Sequence, residues 1–190
     1  MTAAAAPRLT HPQLAQLVRE LEAASAHAKR LAASADDRTF ATKPAPAAWS
    51  AAECLAHLTI TSRSMLPEID RAIGSEASRH WPDDRPYRMS FLGALLRWSL
   101  DPPYRMKMPT TAPFVPANVP PRDVVLAEFM AEQDAAAATI ARAQGHDLGR
   151  LRVTSPFNAR VKYNVYAALR ILLAHERRHL LQAERALGAR

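Results

Sequence analysis

The chain of 190 residues holds a single cysteine, Cys54. An internal disulfide needs two cysteines, so neither a disulfide framework nor a cysteine-based zinc knuckle can form. No apolar run approaches the roughly 20 residues needed to span a bilayer. The first residues, Met1 to Arg8, lack both a charged start and a true apolar stretch, so a secretory signal is not expected and a cytoplasmic location is. Glycine-rich phosphate-binding patterns are absent. The 25 Lys and Arg exceed the 18 Asp and Glu, giving a net charge of +7, but the basic residues are scattered and form no long block. Aromatic residues are only 6% and do not interleave with basic ones. Stacking on bases is therefore not expected, and neither nucleic acid nor a membrane is an expected partner.

Apolar residues make up 48% and charged residues 23%, an ordinary globular composition. The length suits one domain over 1–190, with its body at about residues 10–187. Five glycines, abundant alanine and few β-branched runs favour helix. No period-2 strand and no internal repeat stand out.

Four long helical patterns do. The first runs from about Thr10, as N-cap, to Ser34, with Leu14, Leu17, Leu21, Ala24, Ala28 and Leu31 on one face. The second begins at Ser50, where Ser50-Ala51-Ala52-Glu53 forms a capping box, and Pro67 should bend or shorten its end. The third runs from about Arg122 to Gln144, with Gly145 as its stop. The fourth runs from about Asn164, as N-cap, to Leu187. Between the second and third lie 41 residues, Trp81 to Pro121, that hold nine of the 15 prolines. That crossover carries Phe91, Trp98, Tyr104, Met106, Met108 and Phe114, which argues for packing, with a short helix around Ser90 to Leu100. The expected fold is all-α, a four-helix bundle with a long proline-rich crossover between helices two and three. Such a link lets those two helices run parallel.

The fourth helix carries the chemistry. Val165, Ala168, Leu172, His175, His179, Gln182 and Ala186 fall on one seam, so two imidazoles lie one turn apart on a core-facing stripe. Such a pair can share one divalent metal, with zinc, nickel or iron as candidates. His57, in helix two, heads a polar stripe with Thr61, Ser64 and Glu68, and facing helices of a bundle build metal sites from such residues. His175-Glu176-Arg177-Arg178-His179 also reads as the zinc-protease His-Glu-x-x-His. Positions 182 and 185 are Gln and Arg rather than the Gly and His of the longer motif, and only eleven residues follow His179. A structural hydrogen bond is the expectation for Glu176. Thr61 and Gln182, one turn from the histidines, are candidates to line or support the site, with plain helix packing as the alternative. Cys54 reads as a small buried residue rather than a nucleophile. Arg105 and Lys107 read as solvated charge, with attraction of an acidic cosubstrate as the alternative. His11, His27, His80 and His146 show no partner spacing.

Trp49-Ser50-Ala51-Ala52-Glu53-Cys54-Leu55-Ala56-His57-Leu58 resembles the start of helix two in the DinB-like (YfiT-like) superfamily. His175 to Gln182 resembles its helix-four signature, and Pro102 to Pro109 is similar to its proline-rich link. The resemblance implies a bundle in which His57, His175 and His179 hold a divalent metal. It also implies, from characterised relatives, a thiol-dependent transferase or isomerase that joins a low-molecular-weight thiol to a small electrophile. Metal-dependent hydrolysis and a non-catalytic metal- or ligand-binding stress protein are the alternatives. A homodimer is a further expectation, because helix four carries apolar residues on more than one side, Ile171 and Leu181.

Overall fold

The computed structural model describes residues 9–75, 80–101 and 110–188. Four long helices dominate it: α1 (Pro12–Ala33), α3 (Ala51–Ile73), α5 (Arg122–Arg142) and α6 (Val165–Gly188). Two short helices, α2 (Asp37–Ala41) and α4 (Phe91–Leu100), and a 3-10 turn at Ala112–Phe114 lie in the connections. The bundle is thus as expected, and so is the short helix inside the crossover. The crossover segment 102–109, with Arg105 and Lys107, lies outside the described residues.

Side-chain pairs give the helix directions. Arg63 of α3 pairs with Glu128 and Glu132 of α5, and farther along both helices Asp70 pairs with Arg142. Helices α3 and α5 therefore run parallel, which the long crossover permits. Gln13, Glu20 and His27 of α1 meet Tyr166, Arg170 with Arg177, and Glu184 of α6 in the same order, so that pair is parallel too. Thr10 meets Gln144 while Ser25 meets Gln133, so the α1 direction opposes α5. The order is up, down, down, up.

The local signals mostly hold. The six apolar positions read on α1 are all buried. Ser50 and Glu53 make both bonds of the capping box on α3. Asn164 Oδ1 accepts from the Ala167 amide at 3.0 Å and so caps α6. Gly145 has φ +81°, the left-handed conformation that ends α5 without a Cβ penalty. Three details differ. The cap of α1 is His11, whose Nδ1 accepts from the Gln13 amide, because Pro12 already occupies the first helical position. Helix α3 does not shorten at Pro67 but continues to Ile73. An antiparallel hairpin, β1 (Arg152–Ser155) and β2 (Asn158–Asn164), stands where no strand was expected. Only Val153 and Ser155 of β1 turn inward, so its alternation is too short and too polar to read as a strand. The pairing slips between Thr154 and Ser155, a bulge beside the turn.

Helix α6 is buried on most sides from Val165 to Glu176, because α4 covers the face that the other long helices leave open. Gly93 permits that cover: a Cβ there would lie 2.4 Å from the Ala167 Cβ. Ile171 is consequently buried within the chain, and Leu181 is half-buried. The outer face of α4 leaves Phe91, Leu95 and Trp98 exposed. Two apolar clusters fill the bundle. One joins Leu14, Leu17, Met65, Ile69, Ile140 and Leu172; the other joins Phe40, Leu55, Leu58, Phe129 and Leu180.

Candidate metal centre

Helix α3 brings His57 to α6 one turn after its capping box, and α6 places His175 and His179 on the facing seam. All three are buried, His57 at 2% exposure and the other two at 8%. One ring nitrogen from each lies within 4.8 Å of those of the other two. His57 Nε2 lies 3.1 Å from His175 Nε2. The rings meet edge to face at centroid distances of 4.5–4.9 Å. The sequence pattern thus named three residues that the fold brings together.

The surroundings set the protonation. The Phe114 carbonyl, 2.7 Å from His57 Nδ1, can only accept, so Nδ1 carries the proton and Nε2 keeps the lone pair. Burial lowers the His57 pKa, opposed by that carbonyl. Burial also drives His175 well below its usual value, with His179, His57 and Arg178 adding to the effect. His179 falls to about 3 for the same leading reason, with His57 and Arg178 contributing and the acceptor side chain of Gln182 opposing. The three rings are therefore neutral at pH 7. His175 Nδ1 and His179 Nδ1 are buried without a hydrogen-bond partner among the described residues. Neutral, clustered imidazoles with unanswered nitrogens are the donor set that a divalent transition metal accepts. The residues present fit such an ion.

Of the two supporting candidates, Gln182 does touch a histidine, His179. Thr61 reaches only the backbone of one: its hydroxyl donates to the His57 carbonyl at 2.9 Å, one turn back on its own helix. Glu176 faces the bundle interior instead of the site. Its Oε1 accepts from Gln133 Nε2 of α5 at 2.8 Å, and Gln133 Oε1 accepts in turn from Ser25 of α1. Burial raises its pKa to about 7, with Gln133 and Arg177 opposing. The His-Glu-x-x-His spacing therefore holds no general base beside the histidines. Cys54 is fully buried, and that burial pushes its thiol pKa up, so little thiolate forms.

Three aromatic residues that the sequence did not assign to the site, Trp49, Phe114 and Phe157, lie beside it. Trp49 lies 4.8 Å from His57 and 5.6 Å from His179, centroid to centroid. Phe157, at the hairpin tip, packs on Phe114 at 4.5 Å and reaches His175 at 6.2 Å. Trp49 was legible as the residue before the capping box and as the first residue of the helix-two resemblance, neither of which gave it a role at the site. Phe157 carried no signal, because its position depends on a hairpin with almost no alternation.

Among the described residues no helix is long and apolar enough to cross a membrane. No curated protein and no solved structure matches the chain. The sequence profile of the DinB superfamily matches residues 5–183, nearly the whole chain. With the bundle and its buried histidine trio, this establishes that the chain belongs to the DinB superfamily.

Proposed function

We propose that this protein is a metal-dependent enzyme in which His57, His175 and His179 hold a zinc, nickel or iron ion, and that it joins a low-molecular-weight thiol to a small electrophile. The observation that carries the reading is the trio itself: three neutral imidazoles, buried together, with two ring nitrogens unpartnered among the described residues. Three neutral ligands leave a divalent ion its full charge and open positions. A cation so held supplies the positive charge that lowers the pKa of a nearby thiol or water toward neutrality.

The protein's own groups have separable roles. The Phe114 carbonyl fixes the His57 tautomer. Trp49, Phe114 and Phe157 present aromatic surface beside the histidines, which favours an apolar electrophile over a charged one. In the proposed reaction the thiol gives up its proton to solvent and its sulfur forms a bond to the electrophilic carbon. The leaving group departs with the electron pair of the bond that breaks.

The test is turnover. Metal-loaded protein would be mixed with glutathione, bacillithiol or mycothiol and an aryl halide, and thioether formation followed against a protein-free control. Formation above that control, lost on chelation and in His57→Ala, is expected. Ligand binding without turnover by any thiol would instead make this a binding protein, and ester hydrolysis without thiol would make it a hydrolase.

A further inference from the structure

A cleft lies at the far end of α6 from the histidines. Asn164, at the start of α6, lines it, and His175 lies eleven residues farther along that helix. That separation is about 16 Å at the helical rise per residue. The cleft encloses about 470 Å³ between the 81–90 connection and the 147–152 turn. This falls within the range of small-molecule sites. Arg85, Arg88, Arg150 and Arg152 all line it, with Asp147 as the one carboxylate.

These arginines differ from others in the molecule. Arg63, Arg122, Arg142, Arg170 and Arg177 each form an ion pair. None of the four cleft arginines is paired with a carboxylate among the described residues. Arg85 lies 4.4 Å above the Trp81 ring, a contact that satisfies a cation without neutralising it. Asp147 is buried, and its Oδ1 accepts from the Gly149 amide, which shapes the turn. Four like charges gathered on one cleft repel one another, and an anion there relieves that repulsion.

The walls are fixed in advance. Asn164 Nδ2 donates to the Arg88 carbonyl at 2.8 Å and to the Gly149 carbonyl at 3.0 Å, so a single side chain ties both arginine-bearing segments together. Its Oδ1 accepts from the Ser90 amide. The Trp81 amide adds a bond to the Gly145 carbonyl. The first amides of α6 are already engaged, by the carbonyls of Leu151 and Leu148 and by Asn164. Recognition therefore falls to the guanidinium groups, whose forked donors match phosphate oxygens in pairs.

We propose that this cleft binds a small phosphorylated molecule carrying at least two anionic charges. The site is independent of the metal centre and does not rest on the transferase reading.

The probe is inorganic pyrophosphate, titrated into the full chain by calorimetry at constant ionic strength set with sodium chloride. Saturable binding is expected. In R150E/R152E, with both changes at exposed positions, it should weaken by at least roughly tenfold while the melting temperature holds. Binding should persist in His57→Ala, which separates the cleft from coordination at the histidines. The proposal is overturned by absence of saturable binding, by undiminished binding in R150E/R152E, or by its loss in a folded His57→Ala. A duplex oligonucleotide that binds more tightly than pyrophosphate and weakens in the same double variant would also overturn it, in favour of a nucleic-acid surface.

Discussion

His175 and Glu176 are neighbours in sequence and both are buried on α6, yet burial has opposite chemical consequences for them. Each is pushed toward its neutral form: the histidine pKa falls, and the glutamate pKa rises to about 7. The Glu176 carboxyl points away from the histidines, and Gln133 answers one of its oxygens from the opposite helix. A neutral imidazole is the reverse case, because losing its proton exposes the lone pair that binds a metal. The low-polarity interior that holds back the charge of Glu176 thus readies His175, His179 and His57 as ligands. One turn of helix divides into a structural face and a ligand face, and a motif search that reads all five residues as one protease signature merges the two.

The largest break in that comparison comes from the ligand face. His179→Ala should reduce metal affinity by more than the roughly 100-fold upper limit typical of supporting residues, with the chain still folded by circular dichroism. Metal retained at the wild-type level would remove His179 from the ligand set. Gln182→Leu acts one step back, through the His179 ring, and should weaken metal binding by about 10–100-fold in competition with a chelator. No change would mean that the hydrogen bond does not orient the ring.

The structural face should respond in stability alone. Gln133→Leu removes the amide that Glu176 accepts from and should cost about 1–3 kcal/mol in denaturant unfolding of the metal-free chain. Metal content should stay at the wild-type level. A loss of metal in that variant would show that the two faces are coupled. Thr61→Val should do least, within about 1 kcal/mol and with no change in metal affinity, because the hydroxyl bonds to its own helix backbone.

The bundle and the His175–His179 pair were legible because both rest on periodicity, and the family resemblance added His57. Leu14 to Leu31 mark the α1 face, Ser50 and Glu53 mark the start of α3, and the spacing of His175 and His179 puts them on one stripe. Thr61 shares that kind of spacing with His57, but a helical threonine finds the carbonyl four residues back before it finds a partner across the bundle. The Phe114 carbonyl that orients His57 has no signature, since every residue offers a carbonyl. Phe157 reaches His175 through a hairpin whose few inward residues leave no run of alternation. Gln133 and Glu176 are polar residues on otherwise apolar stripes, and only the folded structure shows that they answer each other.

The most direct test is metal content. Untagged protein, purified without chelators and analysed by elemental methods, should carry close to one zinc, nickel or iron ion per chain. His57→Ala should carry almost none and should fail to take metal up on titration. Wild-type protein that neither retains nor binds a divalent ion would contradict the account, and the three histidines would then be packing residues of the core.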